Sequence, residues 1–279
     1  MLHFNMPLNE QRHQTARIVG VGGIADTALK DAVCEMAWDT EFLPLDLDNN
    51  FPAFHEGIVN TNLFLIVVDA DDKEGVDAAC VMCQIAQAKK ILVFSAAFSR
   101  TDTGMKNISD PISRLARLET HSDALFVIPK ETAASELENE TAKNFALCTL
   151  LQCLKKVLES EGEVTVDFPD LQMLFRNAGK AYLGVGIGHG KEGTASAAQQ
   201  SLDKPVTFRL SAKFRSVLVC IEADDSRSVL EIGKAANAIS AMSTEDAAFG
   251  LVYRVNPDLR DAVKITVIAA SFCTRRDDG

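Results

Sequence analysis

At 279 residues the chain suits one large domain or two modest ones, and it is long enough to bury a substantial core. Its 47% hydrophobic and 24% charged residues are ordinary for a globular protein. The formal net charge is −11, and the basic residues form nothing larger than pairs such as Lys89-Lys90 and Arg275-Arg276, which disfavours nucleic acid and anionic membrane surfaces as partners.

No apolar run reaches the ~20 residues that a membrane helix needs. The opening segment MLHFNMPLNEQRHQTARIVGVGG lacks the basic-then-apolar layout of a signal peptide, so a cytoplasmic protein is expected. The seven cysteines then read as reduced, mostly buried small hydrophobes. Cys80-Val-Met-Cys83 has no second Cys/His pair at zinc spacing, so it reads as helix packing.

In chain order, ARIVGVGG (16–23) is a strand and a helix follows from about Asp26 to Ala37. FLPLDL (42–47) is a second strand, and the apolar run at 63–68 a third. Next come KKILVFSAAF (89–98), a helix at 110–120 and DALFVIPK (123–130). Apolar strands alternating with amphipathic helices argue for a parallel sheet covered on both faces. From Ala133 to about Ser160 one long helix carries Leu147, Leu150, Leu151, Leu154, Val157 and Leu158 as an apolar stripe. A short helix with Pro169 in its first turn follows. The remainder reads as strand 180–190, helix 192–202, strand 215–224, helix 226–242, and strands at 248–255 and 262–272 joined by NPDLRD. That grammar is a mixed α+β sheet.

The turn after the strand at 63–68 carries Asp69, Asp71, Asp72, Glu74 and Asp77 around a single Gly75. A strand-to-helix turn of this kind attracts anions through free backbone N–H groups and the helix dipole. Five carboxylates would repel a phosphate. Two readings of the residues stay open: a solvated acidic helix start stabilised by the dipole, or oxygen ligands for a metal from Asp69, Asp71 and Asp72. GVGIGHGKEG (184–193) fails the phosphate-loop pattern, because Gly190-Lys191 is followed by Glu192 and Val185 stands where a glycine is needed.

GVGG at 20–23, HSDALFVIP at 121–129 and VTVDFPDLQMLFRNAGKAYLGVGIGHGKEGTASAAQQSL at 164–202, in this order, resemble the bacterial tubulin homologue FtsZ. GLVYRVNPDLRDAVKITVIAASF resembles that family's final hairpin. The resemblance implies an α/β fold of the FtsZ/tubulin type. Its expected parts are a Rossmann-like parallel-sheet subdomain (1–132), a long central linking helix (133–162) and an α+β subdomain with a mixed sheet (163–279). It also implies a GTP site on the first subdomain, completed by acidic residues of the next subunit's second subdomain.

The departures from the family are concentrated at that site. Where relatives carry G-G-G-T-G-T-G, this chain has DKEGVD, keeping Gly75 alone. Placing a triphosphate of about −4 charge beside those carboxylates would cost several kcal/mol even at an effective dielectric near 20. The glycine run stops at Gly23, Asn144 stands at the Asp that would read guanine, and DNNFPAFHEGIVN is too short for the family's γ-phosphate loop. The resemblance thus leaves Gly20, Gly22, Gly23, Gly75 and Asn144 as remnants of a nucleotide site. Asp167 and Asp170 match the family's catalytic acids, which position a water at the neighbour's γ-phosphate; the alternative is that Asp170 serves the first turn of its own helix.

The expected function is therefore that of an FtsZ-like cytoskeletal or cell-division protein that is not a conventional GTPase. It would act by protein–protein assembly, with itself or with a genuine FtsZ whose filaments it modulates or caps. No cofactor is expected. One alternative is a polymerising GTPase with unusual ligands, using GTP and Mg²⁺; another is a Mg²⁺-dependent phosphohydrolase built on Asp69 and Asp71. With only CTRRDDG after Phe272, no membrane-recruiting tail is expected, so membrane contact would be indirect.

Overall fold

The computed structural model describes residues 16–22, 58, 61–100, 109–130, 139–159, 162–208 and 213–271. Its strands are β1 (Ala16–Val21), β2 (Leu63–Asp69), β3 (Leu92–Ser99), β4 (Ala124–Pro129), β5 (Gly179–His189), β6 (Phe214–Ala223), β7 (Ser243–Val255) and β8 (Ala262–Ala270). The helices are α1 (Lys73–Ala88), α2 (Ser109–Thr120), α3 (Asn139–Glu159), α4 (Phe168–Phe175), α5 (Gly193–Asp203) and α6 (Val229–Ser240). The expected helix at 26–37 and strand at 42–47 lie outside the described residues.

These strands form one sheet in the order β1-β2-β3-β4-β5-β8-β6-β7. β1 to β5 are parallel, and β8 runs antiparallel between β5 and β6. All seven residues of β2 and all eight of β3 are buried, which is why both read as unbroken apolar runs. α1 covers one face through Val76, Ala79, Met82 and Cys83, packed on Val19, Phe64 and Ile66. α3 lies on the other face, where Leu147, Leu151 and Leu154 share a core with Leu65, Phe94 and Phe126, and also with Leu218 and Ile268. The central helix thus spans both halves of the sheet, as its long apolar stripe requires. At the seam, the buried Asp123 carboxylate accepts from the Val93 N–H (2.8 Å), the Asn177 N–H (3.1 Å) and Arg176 (3.0 Å).

The expected hairpin of the last two strands does not form. β7 and β8 are joined by a 3₁₀ turn at Pro257–Leu259, yet β6 lies between them, pairing parallel with β7 and antiparallel with β8. Burial explains the order. β6 is buried along nearly its whole length and needs a partner on each side, whereas β7 exposes Glu245 and Asp246, which suit an edge. α6 starts at Val229 because Ser228 caps it in a reciprocal bond with Glu231. Cys80 and Cys83 both lie on the buried face of α1, and burial pushes the Cys83 thiol up to about 12.

The glycines of β5 also find their reason. A Cβ on Gly184, Gly186 or Gly188 would stand 1.9 Å from the backbone oxygen of Ser201, Ala197 or Gly193 respectively. The G-x-G-x-G spacing therefore lets α5 lie backbone-to-backbone on the strand, and it cradles no ligand. Among the described residues no helix is long and apolar enough to cross a membrane.

Candidate functional site

β2 delivers Asp69 to the carboxyl end of the parallel sheet, where ligand-binding loops gather in such folds. Asp72 is extended (φ −83, ψ 103) and caps α1, its Oδ1 accepting the Gly75 N–H at 3.0 Å. Its other oxygen faces the turn after β1. There Gly22 adopts φ +88, and a Cβ on Gly22 would lie 2.6 Å from Asp72 Oδ2. A Cβ on Gly75 would lie 2.6 Å from the same atom. Two of the expected remnants, Gly22 and Gly75, are thus brought together around a carboxylate. The first-turn amides and dipole of α1 favour an anion, and the chain supplies that anion from Asp72.

The neighbouring acids are answered by cations. Asp69 is 6% exposed, accepts the Asp71 N–H at 2.9 Å, and is ion-paired to Lys130, itself only 9% exposed at the end of β4. Lys130 Nζ also lies 2.7 Å from Asp71 Oδ2, which Arg100 approaches at 3.3 Å. Arg114 donates to the carbonyls of Ala70 (2.8 Å) and Asp71 (3.1 Å). Arg117 pairs with Asp77 at 2.6 Å on the surface, a contact that adds little stability. Of the five acids, Asp72 and Glu74 have no cationic partner among the described residues, Asp72 being bonded to the Gly75 N–H instead. The expected repulsive rim is therefore largely compensated, and what fills the cradle is one carboxylate.

The metal candidates separate. Asp69 and Asp71 converge on the Lys130 ammonium, which takes the place of a cation, while Asp72 turns to α1. No group of three metal-ligating side chains occurs among the described residues. Gly20 lies within β1, paired with Val67. Gly23 is outside the described residues, and so is the side chain of Asn144 on α3.

Asp167 caps α4, its Oδ1 accepting the Asp170 N–H at 2.9 Å, and Asp170 sits in the first turn with its side chain exposed. The capping role thus falls to Asp167. No hydrogen bond or ion pair links either acid to the Asp72 cradle among the described residues. Sequence reasoning missed Lys130, Arg100 and Arg114. The signal was present: FSR and IPK each place a basic residue directly after a parallel strand, next to the end of β2.

Residues 179–273 match the family model described as FtsZ family, C-terminal domain. An empty FtsZ dimer from M. jannaschii superimposes with a TM-score of 0.80 at 15% identity, covering 94% of this chain and 89% of that one. A GTPγS-bound protofilament of CetZ2 from Haloferax volcanii gives 0.72 at 13% identity, covering 94% of each chain. CetZ from Methanosaeta thermophila strain DSM 6194 gives 0.69 at 13% identity, covering 93% and 87%. Residues 179–273 thus resemble the FtsZ C-terminal domain, inside a chain whose fold is similar to that of FtsZ and CetZ.

Proposed function

We propose that this chain is a cytoskeletal protein that works by protein–protein assembly and has given up conventional GTP chemistry. One observation supports the reading above the others: the Asp72 carboxylate lies between Gly22 and Gly75, at the helix N-terminus where relatives would seat phosphate. A phosphate cannot share that space with it. The FtsZ of M. jannaschii forms a dimer and CetZ2 a protofilament; what carries over in this proposal is assembly, without the nucleotide.

The units of assembly are the two subdomains, residues 1–132 and 163–279, joined by the helix of 133–162. The partner is another copy of the chain or a genuine FtsZ. Asp167 and Asp170, exposed at the start of α4, would face the partner's nucleotide surface, and the filled cradle would not recruit a further subunit, so the chain caps one end. It does this in the cytoplasm.

Calorimetric titration of the purified full chain with GTP and Mg²⁺, run beside sedimentation of a genuine FtsZ, tests this. The expected results are no saturable nucleotide binding, and either nucleotide-independent polymer or a reduced FtsZ pellet at stoichiometric ratio. Saturable GTP binding with Mg²⁺-dependent turnover would overturn the proposal in favour of a GTPase with unusual ligands.

A further inference from the structure

α3 meets the second half of the sheet through three side chains of its last turns. Gln152 accepts from Lys264 on β8 at 3.1 Å, and Lys156 is ion-paired to Glu222 on β6. Between them Cys153 meets Cys220, with the two sulfurs 2.9 Å apart. The spacing follows from the elements themselves. Residues 153 and 156 share one side of the helix, and residues 220 and 222 share one face of the strand. Glu222 stands opposite Lys264 in the antiparallel β6–β8 register, so the polar pairs on either side hold the two thiols in contact.

Both cysteines are free and buried, and two small hydrophobes in a core would ordinarily be packing and nothing more. Their separation says more. The sulfurs of a disulfide stand about 2.05 Å apart, so a movement of roughly 1 Å divides this contact from a bond. Cys80 and Cys83 offer no rival partner, since they belong to the core on the opposite face of the sheet.

The surroundings assign the two sulfurs different parts. The hydrogen bond with Cys153, and after it burial, hold the Cys220 thiol well above its ordinary value, with the Lys156 ammonium acting the other way. Cys220 therefore keeps its proton, and Cys153 is the sulfur that attacks. The Lys156 and Glu222 side chains retain 17% and 10% exposure, which places the pair about one helical turn from solvent. Such a depth suits an oxidant as small as hydrogen peroxide.

We infer that Cys153 and Cys220 form a redox modification site, at which a peroxide closes a disulfide that staples the central helix to β6. In the first step the Cys153 thiolate attacks one peroxide oxygen: an S–O bond forms, the O–O bond breaks, and the departing hydroxide takes the Cys153 proton as water. Cys220 sulfur then attacks the sulfenic sulfur. The S–S bond forms, the S–O bond breaks, and hydroxide leaves with the Cys220 proton as a second water. The two sulfurs have lost two electrons and the peroxide has gained them. A reducing cytoplasm keeps the pair open, as is usual for thiols there, and a dithiol reverses the bond by exchange. The site is independent of the Asp72 cradle.

The test treats the reduced full chain with hydrogen peroxide, blocks the remaining thiols with iodoacetamide, and identifies linked peptides by mass. Cys153–Cys220 should exceed every other pairing by roughly tenfold or more, because the fold holds these sulfurs together. The same treatment in urea should lose that preference. Joining residues 67 apart in the chain should raise the melting temperature by about 10 °C, and dithiothreitol should return it to the starting value. Cys220→Ala should melt at one temperature with or without peroxide; the mapping of the parent chain stands whether or not this variant folds. Recovery of both residues as blocked thiols would overturn the inference. So would a dominant bond elsewhere, such as Cys148–Cys220, or a linked chain that melts no higher than the reduced one.

Discussion

Replacing Asp72 separates occupancy of the cradle from its charge. With the carboxylate in place, a phosphate dianion about 4 Å away meets a repulsion of roughly 8 kcal/mol, twice the ~4 kcal/mol of a unit pair at an effective dielectric near 20. Asp72 Oδ2 also fills the space itself, since it stands 2.6 Å from where a Cβ on either Gly22 or Gly75 would be. Asp72→Gly removes both obstacles and costs α1 only a few tenths of a kcal/mol as a helix cap. Asp72→Asn removes the charge but leaves an amide of the same shape. Thermal melting against inorganic phosphate, with ionic strength held by chloride, reads the difference. At ten times the dissociation constant, phosphate should stabilise Asp72→Gly by about 1.4 kcal/mol, or roughly 3–6 °C for a domain of this size. The parent and Asp72→Asn should not respond. A flat Asp72→Gly response, or a parent that responds as strongly, would refute the idea that this carboxylate closes the cradle.

Lys130→Met leaves the buried Asp69 without its cation and should cost about 3–5 kcal/mol in urea unfolding; adding Asp69→Asn should recover part of that loss. Gly186→Ala drives a methyl to 1.9 Å from the Ala197 carbonyl oxygen, so the soluble folded chain should be lost, as judged by circular dichroism of the expressed protein. Burial alone would raise the Glu222 carboxyl, but the Lys156 ammonium, with Lys264 and Asn256, holds it below its ordinary 4.5. The unfolded chain then binds this proton more readily, so the stabilisation is complete above about pH 4.5 and vanishes as pH falls through the lower folded value. Glu222→Gln should lower stability at pH 7 and flatten the acid side of the stability curve, measured by urea midpoints across pH.

Much of the fold was legible because burial writes itself into composition. β2 and β3 are buried on both faces and read as continuous apolar runs, and α3 shows its two-sided packing as a dense leucine stripe. The strand order of the second half was not legible. NPDLRD looks like a hairpin turn, and only the relative burial of β6 and β7 decides that β6 intervenes. The acidic turn was found but misjudged for a related reason. Sequence shows the charges of one loop together, while their partners Lys130, Arg100 and Arg117 come from just after β4, just after β3 and from α2. Distance along the chain hid the compensation. The glycines of β5 illustrate the converse, since spacing that looks like a phosphate loop serves the approach of a helix.

A protein that binds a ligand only when folded gains stability that grows with ligand concentration, and any assembly that depends on the loaded form inherits that dependence. Here the anion at the start of α1 is part of the polypeptide, and the cation between Asp69 and Asp71 is Lys130. Each is tethered by a few bonds to the place it fills, so its effective concentration is fixed and does not vary with the surroundings. On the function proposed above, such a chain has exchanged a switch for a constant. Its contacts with a partner cannot be released by hydrolysis, and they can be governed only by its own abundance or by a ligand acting elsewhere on the molecule. A polymer or capped filament of this chain should then keep the same lifetime whether GTP, GDP or neither is present, and a lifetime that followed the nucleotide would show that the cradle still reads it.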